Sequence, residues 1–302
     1  HCSLFIVHCS LFIGIVHWYC GIATNSQFPI PNSPFPIPHS PNMRLSQRHL
    51  NFLSNCPRKF QHSYLEQLGS LTTPEQQERI NWGSYFHLLM QQRELGLPVE
   101  FVVQEDAQMQ RWLTALVGVA PEILTPDPNN KTFRESEHYR VFNFREYVLT
   151  VVYDLLIAND KKAEILDWKT YPLPKSRQWL ERDWQTRLYL YVLAETSDYS
   201  PEQISMSYWF VQSQPEPKSI TFSYNSGKHE QTRRDLNQLL DRLNYWLERY
   251  EIGEEFPQVA EGSGECDRCQ FAMKCERDLE DMENENRQDL IPNLAKIKEI
   301  SL

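Results

Sequence analysis

Two acids and a lysine carry the most suggestive spacing in this chain. Asp154 lies toward the end of the apolar run 147–157, and Asp167 and Lys169 close the next run, 163–169. Between the runs, Asn159-Asp160-Lys161-Lys162 has turn chemistry. A hairpin centred between Asp160 and Lys161 pairs residues whose numbers sum to 321, which sets Asp154 opposite Asp167. Cα atoms of such a pair are roughly 4.5–5.5 Å apart. Side chains alternate faces along a strand, so Lys169 shares the face of Asp167. Two carboxylates held together are costly unless a divalent cation compensates them. That arrangement suits metal-assisted phosphoryl chemistry. The other reading is a solvated hairpin face bearing an ordinary Asp–Lys pair. Val, Leu and Ile on both faces of each run argue instead for buried strands.

Cysteine supplies a second constellation. Outside the first 42 residues the chain has Cys56, Cys266, Cys269 and Cys275, the last three spaced C-x2-C-x5-C. Four thiolates suit tetrahedral zinc or an iron–sulfur cluster. Structural zinc more often takes two close pairs, whereas this set is one plus three, which favours a 4Fe–4S cluster with Zn2+ as the alternative. Unrelated buried thiols are the bland reading, against which the tight C-terminal trio speaks. A metal held by free thiols implies a reducing compartment, hence the cytoplasm. Joining Cys56 to the trio would staple the N- and C-terminal segments together.

The elements that must position these groups follow from periodicity and capping signals. A helix is expected over 44–68 with Ser46 as its cap. Thr73-Pro74-Glu75-Gln76 opens another, running to about 95. A third covers 104–119, and a Pro-rich loop 121–130. Strands are expected over 136–143, 147–157, 163–169, 204–212 and 219–224, and helices over 175–195 and 228–250. Strands flanked by helices fit an α/β or α+β core with a helical insert at about 70–130.

The first 42 residues differ from the rest. They hold no Lys, Arg, Asp or Glu, and heptads recur: His1-Cys2-Ser3-Leu4-Phe5-Ile6-Val7 is followed by His8-Cys9-Ser10-Leu11-Phe12-Ile13-Gly14. A seven-nucleotide DNA repeat read in triplets returns every seven codons. Residues 1–42 are therefore expected to be a translated repeat, non-native or poorly ordered, with Met43 as the natural start. The rival, a membrane span or signal, meets a stretch that is short for a span and lacks a positive n-region. No membrane association is expected.

Net charge is −10, which does not by itself favour a nucleic-acid binder. From Glu254 onward the net is −7, leaving −3 for everything before it, so most excess acid is a C-terminal property; 277–302 is expected to be an acidic tail. Arg48, Arg58 and Lys59 remain available to phosphate, or form a solvated basic face.

Taken in order, these motifs resemble the RecB/AddB-type nucleases of the PD-(D/E)XK superfamily. The likeness is to the iron–sulfur members, among them the AddB nuclease domain and CRISPR-associated adaptation exonucleases. It runs from about Leu45 to Glu276. Ser46-Gln47-Arg48-His49-Leu50 and Cys56-Pro57-Arg58-Lys59-Phe60 resemble the N-terminal motif with its first cluster cysteine. Gly83-Ser84-Tyr85-Phe86-His87 resembles G-x-x-x-H. Asp154 and Asp167-Trp168-Lys169 match the first Asp and D-x-K, and Gln185 to Tyr189 matches Q-x-x-x-Y. The cysteine trio closes the set. Where the family often has Gly shortly before the first Asp, this chain has Val151-Val152-Tyr153. No G-x-x-x-x-G-K-[ST] occurs.

The resemblance implies a restriction-endonuclease-like core, a central mixed sheet flanked by helices. It implies that His87, Asp154, Asp167 and the Trp168 carbonyl hold Mg2+ or Mn2+, which acidifies a water and polarises the scissile phosphate. Lys169 would offset charge at the phosphate, Gln185 would steer Lys169 or the water, and Tyr189 would touch DNA. Cys56, Cys266, Cys269 and Cys275 would hold the cluster. The expected activity is a metal-dependent deoxyribonuclease, a single-strand-preferring exonuclease of repair, recombination or CRISPR adaptation, with a helicase or adaptation partner acting in trans. The competing reading is a DNA-binding scaffold with little catalysis.

Overall fold

Six strands form one mixed sheet in a computed structural model that describes residues 43–69, 73–99, 106–124, 132–174, 176–267 and 269–277. The leader and the acidic tail beyond 277 lie outside the described residues. The strands are β1 (Met43–Leu45), β2 (Phe133–Phe144), β3 (Tyr147–Ala158), β4 (Ala163–Lys169), β5 (Ile204–Phe210) and β6 (Lys218–Ser223). The helices are α1 (Gln47–Asn55), α2 (Pro57–Phe60), α3 (Pro74–Glu94), α4 (Ala107–Val119), α5 (Pro121–Leu124), α6 (Arg177–Arg182), α7 (Trp184–Glu195) and α8 (Ser226–Glu251).

β3 is the organising strand. β2 runs antiparallel to it over almost its full length, joined by the tight turn Arg145-Glu146. β1 pairs parallel at its start, Met43 with Tyr147, and β4 pairs antiparallel at its end. β4 then pairs parallel with β5, and β5 antiparallel with β6.

Apolar residues line both faces of the central strands. Ile165, Tyr208 and Phe210 pack with Leu188, Leu240 and other residues of α1, α7 and α8. Leu155, Leu166, Trp168 and Trp209 pack with Phe86, Trp112 and Leu116 of α3 and α4. Double-sided burial is why these strands read as nearly continuous apolar runs. The mixed α/β fold and flanked mixed sheet agree with a restriction-endonuclease-like core.

Three local differences from the sequence expectation have clear causes. The stretch 44–68 is not one helix: its start pairs with β3, and Cys56 is extended at φ −152° because proline follows it. The stretch 175–195 breaks at Asp183, which caps α7 by accepting from the Gln185 amide at 2.7 Å. β2 begins at Phe133, earlier than the expected 136, within the antiparallel ladder to β3.

Candidate active site

The β3–β4 ladder holds Leu155 with Leu166, Leu156 with Ile165 and Ala158 with Ala163. Each pair sums to 321, so the expected register holds. The ladder stops one step short of Asp154 and Asp167. There β4 stays paired with β5 but parts from β3, and an Asp154 carboxylate oxygen accepts from the Trp168 amide at 2.7 Å. The two acids therefore stand at the fork where the strands part. A side chain takes the place of the next ladder bond, and the opening admits other groups.

From the α7 side comes Gln185. Its amide Nε2 donates to Asp167 Oδ2 at 2.7 Å, and its Oε1 accepts from Lys169 Nζ at 2.9 Å. Lys169 Nζ lies 2.5 Å from Asp167 Oδ1, closing a triangle. Asp167 is only 1 % exposed. Burial and the Asp154 charge push its carboxyl above the usual range, against the pull of Lys169. Burial would lower the Lys169 ammonium, but the charge of Asp167 outweighs it and holds the amine well protonated.

From the α3 side comes His87, with Nδ1 3.3 Å from Asp154 Oδ1. Gly83, one turn earlier, lets α3 approach the end of β4: a Cβ there would lie 3.2 Å from Thr170 Oγ1. Burial disfavours the imidazolium, but the Asp154 hydrogen bond and the Asp154 and Asp167 charges raise His87 to about 9.

One residue of the site was not expected. Glu137 lies opposite Asp154 across the β2–β3 ladder, between the pairs Ser136–Leu155 and His138–Tyr153. Its backbone has φ +50°, in the left-handed region that non-glycine residues rarely occupy. His87, Glu137 and Asp154 each offer a ligand atom within 4.8 Å of the others. The arithmetic that paired Asp154 with Asp167 would have found Glu137 had the turn at Arg145-Glu146 been recognised.

The donor set fits a hard divalent cation: two carboxylates and an imidazole converge, and buried Asp167 Oδ1 makes no well-formed hydrogen bond despite its ion pair. Of the expected ligands, His87 and Asp154 belong to the tight group. Asp167 is engaged by Lys169 and Gln185. Trp168 stands between Asp167 and Lys169 with its ring in the opposite core.

The expected DNA contacts divide. Arg48 and Lys59 flank the Phe52 ring, 5.5 and 4.8 Å from its centroid. Arg58 is committed elsewhere, donating to Phe256 O and Glu255 Oε2, each at 2.6 Å. Tyr189 is 4 % exposed and packs edge-on against Tyr153, their centroids 5.3 Å apart. It shares the Gln185 face as expected, but that face points inward, so its ring lies in the core and not on a DNA-facing surface.

Cys56, Cys266, Cys269 and Cys275 are free thiols lining one recess, with Lys59 and Arg277 at its edge. Burial, with the neighbouring thiols adding to it, raises the Cys266 thiol; burial also raises Cys275, there against Arg58. His62, almost fully buried, sits between Glu66 Oε2 at 2.8 Å and Cys275 Sγ at 3.7 Å.

Comparison with known proteins agrees with this geometry. No curated protein matches the chain. Among solved structures, a protein named SSO0001 is 16 % identical with a TM-score of 0.33, covering 77 % of this chain and 85 % of its own. A candidate exonuclease from Eubacterium rectale is 11 % identical with a TM-score of 0.45, covering 80 % and 92 %. Neither likeness carries weight at those scores. The family model does: the PD-(D/E)XK nuclease superfamily matches residues 44–276, which span the fork, both flanking helix layers and the cysteine recess, and the chain belongs to that superfamily.

Proposed function

We propose that this chain is a RecB/AddB-type deoxyribonuclease that hydrolyses DNA phosphodiester bonds, favours single strands and works from their ends. The observation that carries the reading is the closed Asp167–Lys169–Gln185 triangle facing the His87–Glu137–Asp154 group across the strand fork. Mg2+ or Mn2+ bound there would supply the charge that polarises a phosphate and acidifies a water. His87, Glu137 and Asp154 would hold it, with Asp167 and the Trp168 carbonyl completing the shell.

The rest is work for the chain's own groups. Lys169, held protonated beside Asp167, would stabilise negative charge on the phosphate. Gln185 fixes both Lys169 and Asp167, which keeps their geometry when substrate arrives. Arg48 and Lys59 offer phosphate contacts at a distance from the fork.

The recess of four thiols fits a 4Fe–4S cluster. One remote cysteine plus a close trio departs from the two close pairs that structural zinc more often takes, which favours the cluster over Zn2+. Such a cluster implies a reducing, cytoplasmic setting. Repair, recombination or CRISPR adaptation, with a partner enzyme in trans, is the biological setting this type of nuclease suits. Among the described residues no helix is long and apolar enough to cross a membrane.

End-labelled single- and double-stranded DNA incubated with and without Mn2+ tests the activity. Stepwise shortening of single strands, dependent on the cation, is expected; cation-independent cleavage, or none under any condition, would refute it.

A further inference from the structure

Lys169 and Gln185 enclose a short excursion of the chain. It leaves the sheet at Lys169 and runs to Gln185 at the start of α7, and the 2.9 Å bond between those side chains closes its neck. Three large apolar side chains within it face solvent: Tyr171 at 41 % exposure, Leu173 at 37 % and Trp179 at 58 %. The aromatic residues behind them, Trp168, Tyr189, Tyr208 and Phe210, are buried.

Both rings are tied to the catalytic groups by few links. Tyr171 is two residues beyond Lys169, and its ring leans edge-on against Phe210 with centroids 5.7 Å apart. The Lys169 and Asp167 charges reach its phenol. Trp179 lies on α6, and its carbonyl accepts from the Asp183 amide at 3.1 Å. Asp183 in turn accepts from the Gln185 amide at 2.7 Å. Leu180 is buried beneath the same short helix, so α6 is docked by one side and Trp179 is turned out from the other. Arg182 is exposed on that helix.

Flat rings with a nearby guanidinium are what an unpaired strand needs. Every base has a π-face, and stacking on an aromatic ring is indifferent to sequence. In a duplex those faces are already covered by neighbouring bases. Rings carried on the segment between Lys169 and Gln185 would therefore distinguish paired from unpaired DNA without reading any base edge. A protein partner seated on the same rings would cover the neck of the excursion and obstruct the fork, which disfavours that occupant.

We propose that Tyr171 and Trp179 form a stacking platform for the bases of a single strand whose scissile phosphate lies at Asp154, Asp167 and Lys169. The inference rests on the nuclease reading of the fork and names the feature that gives that site its strand preference.

The test is binding without cleavage. Full-length protein in excess chelator is titrated into labelled oligothymidine and into a duplex of equal length. The wild type is compared with Tyr171→Ala, Trp179→Ala, Tyr171→Phe and Trp179→Phe. Each alanine variant is expected to weaken single-strand binding on the order of tenfold, each phenylalanine variant to keep most of it, and duplex binding to stay unchanged. Quenching of Trp179 fluorescence by the single strand should vanish in Trp179→Phe. Undiminished single-strand binding by both alanine variants, or equal loss of single-strand and duplex binding, overturns the platform. Cleavage is measured separately with Mn2+: a wild type that binds as expected but never cuts removes the nuclease reading and leaves the platform standing. A wild type that cuts while the alanine variants bind normally removes only the platform.

Discussion

At the scale of single residues, the site is a set of charges that hold one another in place. His87 is raised from 6.5 to about 9 and buried Asp167 is raised as well. A group whose folded value is raised stabilises the fold fully below its unfolded value and loses that contribution as pH climbs through the folded one. Cation-free protein should therefore lose thermal stability between about pH 6.5 and 9 through His87. Mn2+ should restore it by competing with the His87 proton. Differential scanning calorimetry across that range checks this; a His87→Gln variant should show a flatter profile, and an unchanged slope would exclude His87 as the cause. Glu137 gives a second residue-level prediction. Glu137→Gln should weaken Mn2+ affinity on the order of tenfold by calorimetric titration, since the charge of the ligand set governs hard-cation binding. Equal affinity would place Glu137 outside the coordination shell.

Elements determine whether those residues meet. The sequence stated the β3–β4 register well enough to pair Asp154 with Asp167, because turn chemistry fixes the centre and a period of two fixes the rest. It did not reveal Glu137, because the β2–β3 turn at Arg145-Glu146 lacks glycine, asparagine or proline to mark it. Spacing placed Gln185 and Tyr189 on one helix face but could not say that the face turns inward. Arg58 was legible as a cation and illegible as a partner of Glu255, a contact between residues nearly two hundred positions apart. α3 depends on a similar long-range fit. Gly83 allows it to lie against Thr170 and so places His87 over Asp154. Gly83→Leu should push α3 outward, reduce cleavage by tenfold or more, and weaken Mn2+ binding in parallel. Lost activity with intact Mn2+ affinity would show that the helix position matters for something other than cation binding.

Across the whole molecule, the N- and C-terminal segments are joined twice. Protein-only contacts form the first join: Arg58 to Phe256 O, the Phe256 amide to Gln61 Oε1 at 2.6 Å, and Phe60 stacked on Phe256. The thiol recess is the second: Cys56 and the C-terminal trio, expected from the sequence to staple these segments, line it together. Binding a group to thiols on both segments adds binding energy to folding energy. Cys56→Ser, purified anaerobically, should lose the absorbance of an iron–sulfur centre and melt roughly 5 °C or more lower. Iron-free protein with an unchanged melting temperature would argue that the protein-only contacts suffice.

The central claim is that Asp154, Asp167 and Lys169 act together on a phosphodiester, and Lys169→Ala tests it most directly because the substitution removes the amine and leaves the fork intact. With end-labelled single-stranded DNA and Mn2+, the variant should cut at least a hundredfold more slowly than wild type while it stays folded and still binds Mn2+. Cleavage at the wild-type rate would contradict the account.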